Sequence, residues 1–459
     1  MSTPIEAVEA YLAETAAERL EDFKAFLRIP TIGSLAEHTG DTARGAEWIA
    51  GHMRRMGLEH VEVSPTGGNP VVYGDWLHAE GAPTVVVYAH YDVQPVDPLE
   101  LWVRPPFEPR VEAGRIHARG AADDKGQVHL HLWAAKAWLE TQGRLPLNIR
   151  YVIEGEEEEG SPNFRTWLDA NRERLSADLV VVTDTGFYEG NHPALTVSLR
   201  GNTYFQLDVT GPAQDLHSGG FGGMVQNPAN ALIRILASLR DGEGRITVPG
   251  FYDEAPRLGE AERAEFARLP FDEAAFAAGI GVTELFGEPQ YTPLERKGMR
   301  PTLDVCGMWA GFTGEGSKTI IPAHAHAKFS CRLAPGMDPN RTFERVRDAI
   351  LAVDVPGVEV EVGRLDEMWP FVVSPEHPAA RTAAACLKEV FGEDPYFIYE
   401  GGSIGAVADF DRVLGLPIVL LGFTNPDDNA HSPNESLVLD NYEGGTRTVA
   451  RYWQALAQD

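Results

Sequence analysis

The chain has 459 residues, 43% hydrophobic and 23% charged, which is the composition of a globular protein large enough for two domains. Its formal net charge of −29 predicts no binding to nucleic acid or to anionic membranes, because both carry negative charge themselves. The three cysteines, Cys306, Cys331 and Cys386, are widely spaced and odd in number, which excludes a disulfide scaffold and a CxxC zinc site. Since the sequence shows no signal-peptide pattern and no apolar stretch of about 18 residues, we expect a cytoplasmic protein.

Residues 1–199 predict alternating helices and strands. Helical apolar spacing predicts helices at 4–27, 42–56, 124–140 and 162–171. Short apolar runs predict strands at 61–64, 70–76, 84–89, 147–153 and 179–183. The continuous apolar run at 84–89 is typical of a strand covered on both faces. This alternation predicts an α/β layer with a largely parallel sheet.

Beyond residue 199 the pattern changes to alternating strands at 203–210 and 325–333, a further strand at 358–362, helices at 227–239 and 342–353, and a loop-rich stretch at 249–301. The α/β pattern returns near residue 371, with a helix up to 391, a short helix after Ser403, a strand at 417–421 and a helix from 440. We therefore predict a discontinuous α/β catalytic domain, 1–199 and 371–459, interrupted by an inserted α+β domain at 200–370.

Ionisable residues follow several predicted strands of the α/β domain. His90 and Asp92 come after the strand at 84–89, and Asp123 precedes a helix within a glycine-bounded loop. Four consecutive glutamates, Glu156–Glu159, follow the strand at 147–153. Like charges at this spacing repel one another unless a cation compensates, and a bound divalent metal is the simplest compensation.

Asp184 and His431 also lie just beyond predicted strands, and ligands of open α/β sheets bind at the carboxyl ends of strands. Each motif alone has an ordinary alternative, such as a polar strand end, a helix N-cap for Asp123 or a solvated acidic loop. Their conjunction favours a metal-dependent enzyme in which one of Glu157 and Glu158 binds metal and the other takes a proton from water.

The inserted domain adds His217, before a glycine-rich turn, and Arg332, on an alternating strand. Arginine suits bidentate recognition of a carboxylate, although both residues could also be ordinary surface charges. The segment 311–319 resembles a phosphate-binding loop, but a serine replaces the lysine and no strand–loop–helix surrounds it, so we exclude a nucleotide site. The pairs His129/His131 and His324/His326 have no accompanying carboxylate cluster, and we interpret them as packing or surface residues.

Taken in order, the segments 88–95, 120–126, 154–161, 215–219 and 430–435, with Asp184, resemble the signature segments of M20-type co-catalytic metallopeptidases. The resemblance covers nearly the whole chain and is strongest to the dipeptidase branch that includes carnosinases and cytosolic nonspecific dipeptidases. The sequence HYDVQP, the sequence DDKG and the long insertion favour this branch over the shorter deacylase and aminopeptidase branches.

This resemblance implies a phosphorylase/hydrolase-like α/β catalytic domain, an inserted α+β lid and dimerisation domain, and two divalent metal ions, Zn²⁺ or Mn²⁺, per subunit. It implies the following roles in the metal centre: His90 and Asp184 hold one metal, Glu158 and His431 hold the other, Asp123 bridges both, Asp92 orients His90, and Glu157 is the general base that activates a metal-bridging water. It also implies a cis peptide between Asp123 and Asp124.

For the substrate, the resemblance implies that His217 stabilises the oxyanion and reaches the site of a neighbouring subunit, and that Arg332, Thr319 and Ser403 bind the substrate. Arg332 would take the C-terminal carboxylate, and the reach of His217 implies a homodimer formed through the lid domain. The expected activity is hydrolysis of dipeptides or short peptides with a free C-terminal carboxylate. The alternatives are a same-fold amidohydrolase acting on N-acyl or N-carbamoyl amino acids and, more remotely, a non-catalytic metal- or peptide-binding protein.

The acidic run is longer than the glutamate pair of the family, so the register within Glu156–Glu159 could shift by one residue. Gly155 before the run, and Gly160 and Ser161 after it, favour the assignment of Glu157 as base and Glu158 as ligand.

Overall fold

The protein is described here by a computed structural model covering residues 3–458, and the chain divides into two compact units. The first unit consists of Met1–Val197, Val373–Ile398 and Ile404–Asp459. The second consists of Ser198–Val372 and Tyr399–Ser403. Among residues 3–458, no helix combines the length and the apolar character that a membrane span requires.

The first unit has nine strands and eight helices in its described residues. In chain order they are α1 (Pro4–Glu14), α2 (Ala16–Leu27), α3 (Thr39–Met56), β1 (Glu59–Ser64), β2 (Val71–Trp76), β3 (Thr84–His90), β4 (Arg110–Glu112), β5 (Arg115–His117), α4 (Lys125–Gln142), β6 (Asn148–Glu154), α5 (Phe164–Asn171) and β7 (Leu179–Val182), and after the second unit α12 (Pro378–Phe391), α13 (Gly405–Leu414), β17 (Ile418–Leu420), β18 (Ser436–Val438) and α14 (Leu439–Leu456). Two further strands, β8 (Ala194–Leu199) and β16 (Tyr396–Glu400), cross from one unit to the other.

The main sheet of the first unit is mixed, with strand order β1-β2-β6-β3-β7-β17-β8. Its four central strands, β6, β3, β7 and β17, run parallel, whereas β1, β2 and β8 pair antiparallel with their neighbours. The prediction of a parallel sheet therefore holds for the centre and not for the edges. The chain between β1 and β2 is too short for a crossover helix, so these strands pair antiparallel. Strand β3 is buried after its first residue, as its continuous apolar run predicts.

The second unit contains, in chain order, β9 (Gly201–Thr210), β10 (Leu216–His217), α6 (Ser218–Phe221), α7 (Pro228–Ser238), α8 (Glu260–Arg268), α9 (Glu273–Gly279), α10 (Pro293–Met299), β11 (Asp304–Ala310), β12 (Ile320–Ile321), β13 (His324–Leu333), α11 (Pro339–Leu351), β14 (Glu359–Met368) and β15 (Phe371–Val372). Its four-stranded sheet has the order β11-β13-β9-β14 and is antiparallel. Buried and half-buried residues alternate along β9, as its sequence predicts. The buried face includes Phe205 and Phe329, whose rings stack with centroids 4.5 Å apart.

One local prediction was wrong, and another was incomplete. The expected single helix at 4–27 is interrupted at Thr15, whose hydroxyl donates to the carbonyl of Tyr11 at 2.7 Å and whose backbone leaves the helical region. The stretch at 249–301 is loop-rich, as predicted, but it also contains three short helices that the sequence did not predict, α8, α9 and α10. Side-chain N-caps support two of these short helices, with Asp272 capping α9 and Thr292 capping α10.

Candidate metal centre

The carboxyl ends of the four parallel strands bring predicted site residues together in the first unit. Because neighbouring parallel strands end at the same edge of a sheet, the residues that follow them become neighbours. The set comprises His90 at the end of β3, Glu157 and Glu158 in a short helical turn after β6, Asp184 after β7, His431 in the loop after β17, and Asp123 just before α4.

These six residues form two groups with metal-ligand geometry. In each group, one atom per residue lies within 4.8 Å of the others: the first is His90, Glu157 and Asp184, and the second is Asp123, Glu158 and His431. Asp123 joins the groups, since its Oδ1 is 3.0 Å from Nε2 of His90 and its Oδ2 is 2.9 Å from Nε2 of His431. A carboxylate that presents one oxygen to each group can bridge two cations.

The ring of His90 is completely buried, and a hydrogen bond to the main chain fixes its orientation. Its Nδ1 lies 3.1 Å from the main-chain oxygen of Asp92, an acceptor, so Nδ1 carries the hydrogen. Nε2 then faces oxygens of Asp123 at 3.0 Å and of Asp184 at 3.8 Å. A nitrogen lone pair and carboxylate oxygens at these distances require a proton or a cation between them. Accordingly, although burial alone would lower the pKa of His90, hydrogen bonds to Asp123 and Asp184 raise it well above its usual value.

Asp92 also fixes the turn that follows β6. Its Oδ1 accepts the main-chain N–H of Glu157 at 3.2 Å, and its Oδ2 accepts that of Glu158 at 3.0 Å. Oδ1 is 3.4 Å from Nδ1 of His90 as well. This buried carboxylate therefore contacts both His90 and the two glutamates, whereas the sequence suggested only the contact with the histidine.

The four consecutive glutamates have different surroundings. Glu156 is buried away from the two groups, because both of its oxygens accept hydrogen bonds from the amide of Asn163, at 3.1 and 3.0 Å. Glu157 and Glu158 each belong to one of the two groups, and Glu159 is exposed. Glu157 and Glu158, the pair assigned from the sequence, are therefore the two glutamates of the run that lie in the two groups.

The centre carries more carboxylates than its histidines can neutralise. Burial, followed by the charge of Asp184, raises the pKa of Glu157 well above its usual value. Burial, followed by the charge of Asp123, raises the pKa of Glu158, and burial raises that of Asp184. Asp123 differs, because hydrogen bonds from His431 and His90 outweigh its burial and lower its pKa.

One further observation fits a cation in this centre. Oε1 of Glu158 is buried and has no hydrogen-bond partner among the described residues, and such an oxygen is costly unless a cation compensates it. Two histidine nitrogens together with carboxylate oxygens form a donor set that suits zinc or manganese. The residues present therefore fit a pair of divalent cations.

Three residues that support the centre, Gln94, Asp124 and Gln127, were not expected from the sequence. Nε2 of Gln94 donates to Oε2 of Glu158 at 2.7 Å. Asp124 accepts the main-chain N–H of His90 at 3.1 Å and a hydrogen bond from Gln127 at 2.8 Å. Gln94 and Asp124 belong to the quoted motifs, but a motif gives no direction for a side chain. The peptide between Asp123 and Asp124 is cis, as expected.

The remaining predicted residues lie in the second unit. His217 is exposed on the two-stranded ribbon of β10 and β12, where the carbonyl of Thr319 accepts the N–H of the residue after His217 at 3.1 Å. Arg332 on β13 donates to the hydroxyl of Ser403 at 2.9 Å, and this hydroxyl donates to the carbonyl of Arg200.

Arg200 is a second cation near Arg332 that the sequence analysis missed. Burial and the charge of Arg332 lower the pKa of Arg200 to about 10. Two neighbouring guanidinium groups repel each other, and an anion bound between them would relieve the repulsion.

Comparison with known proteins gives three findings. Residues 86–455 match the family model described as peptidase family M20/M25/M40. The chain is 33% identical to the Cys-Gly metallodipeptidase dug1 of Schizosaccharomyces pombe, over 88% of this chain and 86% of that protein. It is 30% identical to the Beta-Ala-His dipeptidase of Homo sapiens, over 82% of this chain and 75% of that protein. The crystal structure of the M20 family metallo-carboxypeptidase Sso-CP2 from Sulfolobus solfataricus is similar with a TM-score of 0.85 at 30% identity, covering 96% of this chain and 100% of that one.

Proposed function

Since the chain belongs to peptidase family M20/M25/M40, we propose that it is a metal-dependent dipeptidase that hydrolyses dipeptides or short peptides with a free C-terminal carboxylate. The main observation behind this proposal is that Asp123 joins two groups of possible metal ligands, with one oxygen close to His90 and the other close to His431.

The proposed cofactors are two divalent cations, zinc or manganese. His90 and Asp184 would hold one, Glu158 and His431 the other, and Asp123 both. When bound, such cations polarise the scissile carbonyl and lower the pKa of water. The buried, unpartnered oxygen of Glu158 supports this assignment. The pKa values of Glu158 and Asp184 support it too, because burial and the nearby charge of Asp123 raise them and a bound cation would offset both effects.

Glu157 is the proposed general base. Its main-chain N–H is held by Asp92, so its position does not depend on its own carboxylate. Burial, followed by the charge of Asp184, raises the pKa of Glu157, and a carboxylate with a raised pKa holds a proton more strongly than an ordinary glutamate does. In the proposed reaction the carboxylate takes a proton from the attacking water and passes it to the leaving amine nitrogen.

Substrate recognition is assigned to the second unit. Arg332 would bind the C-terminal carboxylate, with Ser403 holding the guanidinium and Arg200 adding positive charge. Thr319 would bind the substrate, and His217 would stabilise the oxyanion in the site of a neighbouring subunit, which requires a homodimer formed through the second unit. The exposure of His217 and the similarity to the family support this part of the proposal.

A cytoplasmic location is proposed as well. Cys306 is an exposed free thiol and Cys331 is a buried one, which fits a reducing compartment.

The test is a panel of substrates hydrolysed by the full-length protein. The panel contains Cys-Gly and β-Ala-His, after the names of two relatives, other dipeptides, longer peptides, and N-acetyl and N-carbamoyl amino acids. We expect dipeptides to be hydrolysed fastest, the activity to disappear after chelation, and zinc or manganese added singly to restore it. Preferential release of C-terminal residues from longer peptides would indicate a carboxypeptidase, and preference for acyl amino acids an amidohydrolase. Unchanged activity in the chelated, metal-free protein would refute a metal-dependent reaction.

A further inference from the structure

A buried carboxylate outside the proposed ligand set contacts the loop that carries Asp123. Glu435 has no exposed surface and lies in the same loop as His431. Its Oε2 accepts the main-chain N–H of Gly120 at 2.8 Å. Its Oε1 accepts those of Ala122 at 2.8 Å and Asp123 at 3.0 Å. One side chain thus binds three N–H groups of a loop that is 312 to 315 positions away in the sequence.

Both carboxylate oxygens of Glu435 have hydrogen-bond donors within the same cluster. The buried guanidinium of Arg119 donates to Oε2 at 2.8 Å, and it also donates to the carbonyl of Pro95 at 3.1 Å. A buried carboxylate is tolerated when a cation and hydrogen-bond donors satisfy its oxygens, and Glu435 has four donors. The main-chain oxygen of Glu435 accepts the N–H of Ala118 at 3.1 Å, which continues the contact between the two segments.

We infer that Glu435 is a positioning residue for the metal centre, an inference that rests on the proposed function. Oδ2 of Asp123 and Nε2 of His431 are 2.9 Å apart, and they come from the two segments that Glu435 joins. Metal–ligand distances tolerate deviations of only about 0.2 Å, so a small shift between these segments would weaken cation binding. Glu435 fixes the segments before any cation is present, and the centre does not have to assemble around the metal.

The variant Glu435→Gln tests this role at constant size. A glutamine has an amide nitrogen, which is a donor, in place of one of the two acceptor oxygens. One pair of donors, either Arg119 with Gly120 or Ala122 with Asp123, would therefore lose its acceptor. Only one of the two pairs of hydrogen bonds between residue 435 and its donors would remain. The matched control is Glu9→Gln, because Glu9 also bonds to arginines, at 2.7 and 2.8 Å from Arg451, but connects α1 to α14.

Zn²⁺ affinity of the full-length protein is measured by competition with a chromophoric chelator. Loss of a residue that orients metal ligands typically weakens metal binding about 10- to 100-fold, and we expect a loss of this size in Glu435→Gln and no loss in Glu9→Gln. We also expect kcat for a dipeptide to fall in Glu435→Gln while KM stays within about twofold, since this residue orients metal ligands and not the substrate. Equal zinc affinity in Glu435→Gln and the wild type would refute the positioning role of Glu435 and leave the proposed metal centre unaffected. A wild-type protein that binds neither Zn²⁺ nor Mn²⁺ would refute the proposed metal centre and this inference with it.

Hydrogen exchange of the wild type provides a measurement that does not depend on the folding of any variant. The amides of Gly120, Ala122 and Asp123 should be protected in the metal-free wild type, because Glu435 accepts all three, and they should exchange faster in Glu435→Gln. Rapid exchange of these amides in the wild type would refute the positioning role, whatever the outcome of the activity assays.

Discussion

Replacement of Glu157 by glutamine separates a general base from a metal ligand. The substitution preserves the size of the side chain and the hydrogen bond from the main-chain N–H to Asp92, so the turn should keep its shape. What is lost is the ability to take and return a proton. A general base typically contributes about 10²- to 10⁴-fold to the rate, which corresponds to about 2.7–5.4 kcal/mol of activation free energy.

The structure also limits the effect on metal content. If Asp184, His90 and Asp123 suffice for one cation, removal of the charge of Glu157 leaves every assigned ligand in place, and the variant should retain two metal ions per subunit. Free amino acids released from a dipeptide give kcat, and elemental analysis of the dialysed protein gives the metal content. The control is Glu159→Gln, since Glu159 is exposed and belongs to neither group of ligands.

Two results would contradict this reasoning. Full metal content with unchanged hydrolysis would exclude Glu157 as the base. Loss of one metal ion in Glu157→Gln would make Glu157 a ligand, which its position within the group of His90 and Asp184 would permit geometrically.

Three further predictions concern the metal bridge, acid stability and substrate binding. Asp123→Asn should lower the affinity for both cations by at least about 10-fold, measured as metal content after dialysis, because Asp123 contacts both groups. Burial lowers the pKa of His131 to about 3. Below pH 6.5 the unfolded chain therefore takes up a proton that the folded chain does not, and the folded state loses stability as the pH falls from 6.5 towards 3. Urea unfolding gives the free energy of unfolding at pH 6.5 and at pH 5.5, and its decrease between these two pH values should be smaller by about 1 kcal/mol in His131→Gln than in the wild type. Equal decreases in the two proteins would show that this histidine is protonated in the folded state. Arg332→Lys should raise KM for dipeptides about 10-fold or more with a smaller change in kcat, because lysine cannot form a bidentate contact with the carboxylate, and an unchanged KM would exclude Arg332 from substrate binding.

The sequence predicted most helices and strands because their signals are local. The apolar run that forms β3 and the alternation in β9 are properties of a few neighbouring residues, and both strands have the predicted burial. The errors arose where one residue or one cap decides the structure. Thr15 interrupts an otherwise continuous helical pattern, and Asp272 and Thr292 begin short helices in a region whose composition is typical of loops.

Most residues of the metal centre could be named from the sequence because they follow strands, and parallel strands end at a common edge, whereas Asp123 precedes a helix and was named from its loop motif. The motifs therefore indicated which residue types meet, and the glycines around the glutamate run favoured Glu157 and Glu158, the two glutamates of the run that lie in the ligand groups. Only the tertiary structure decided how the side chains are held. The contacts of Asp92 with the turn after β6, of Gln94 with Glu158 and of Glu435 with the loop before α4 join segments that are far apart in the chain. Such contacts depend on the direction of each side chain after packing, which no spacing along the sequence specifies.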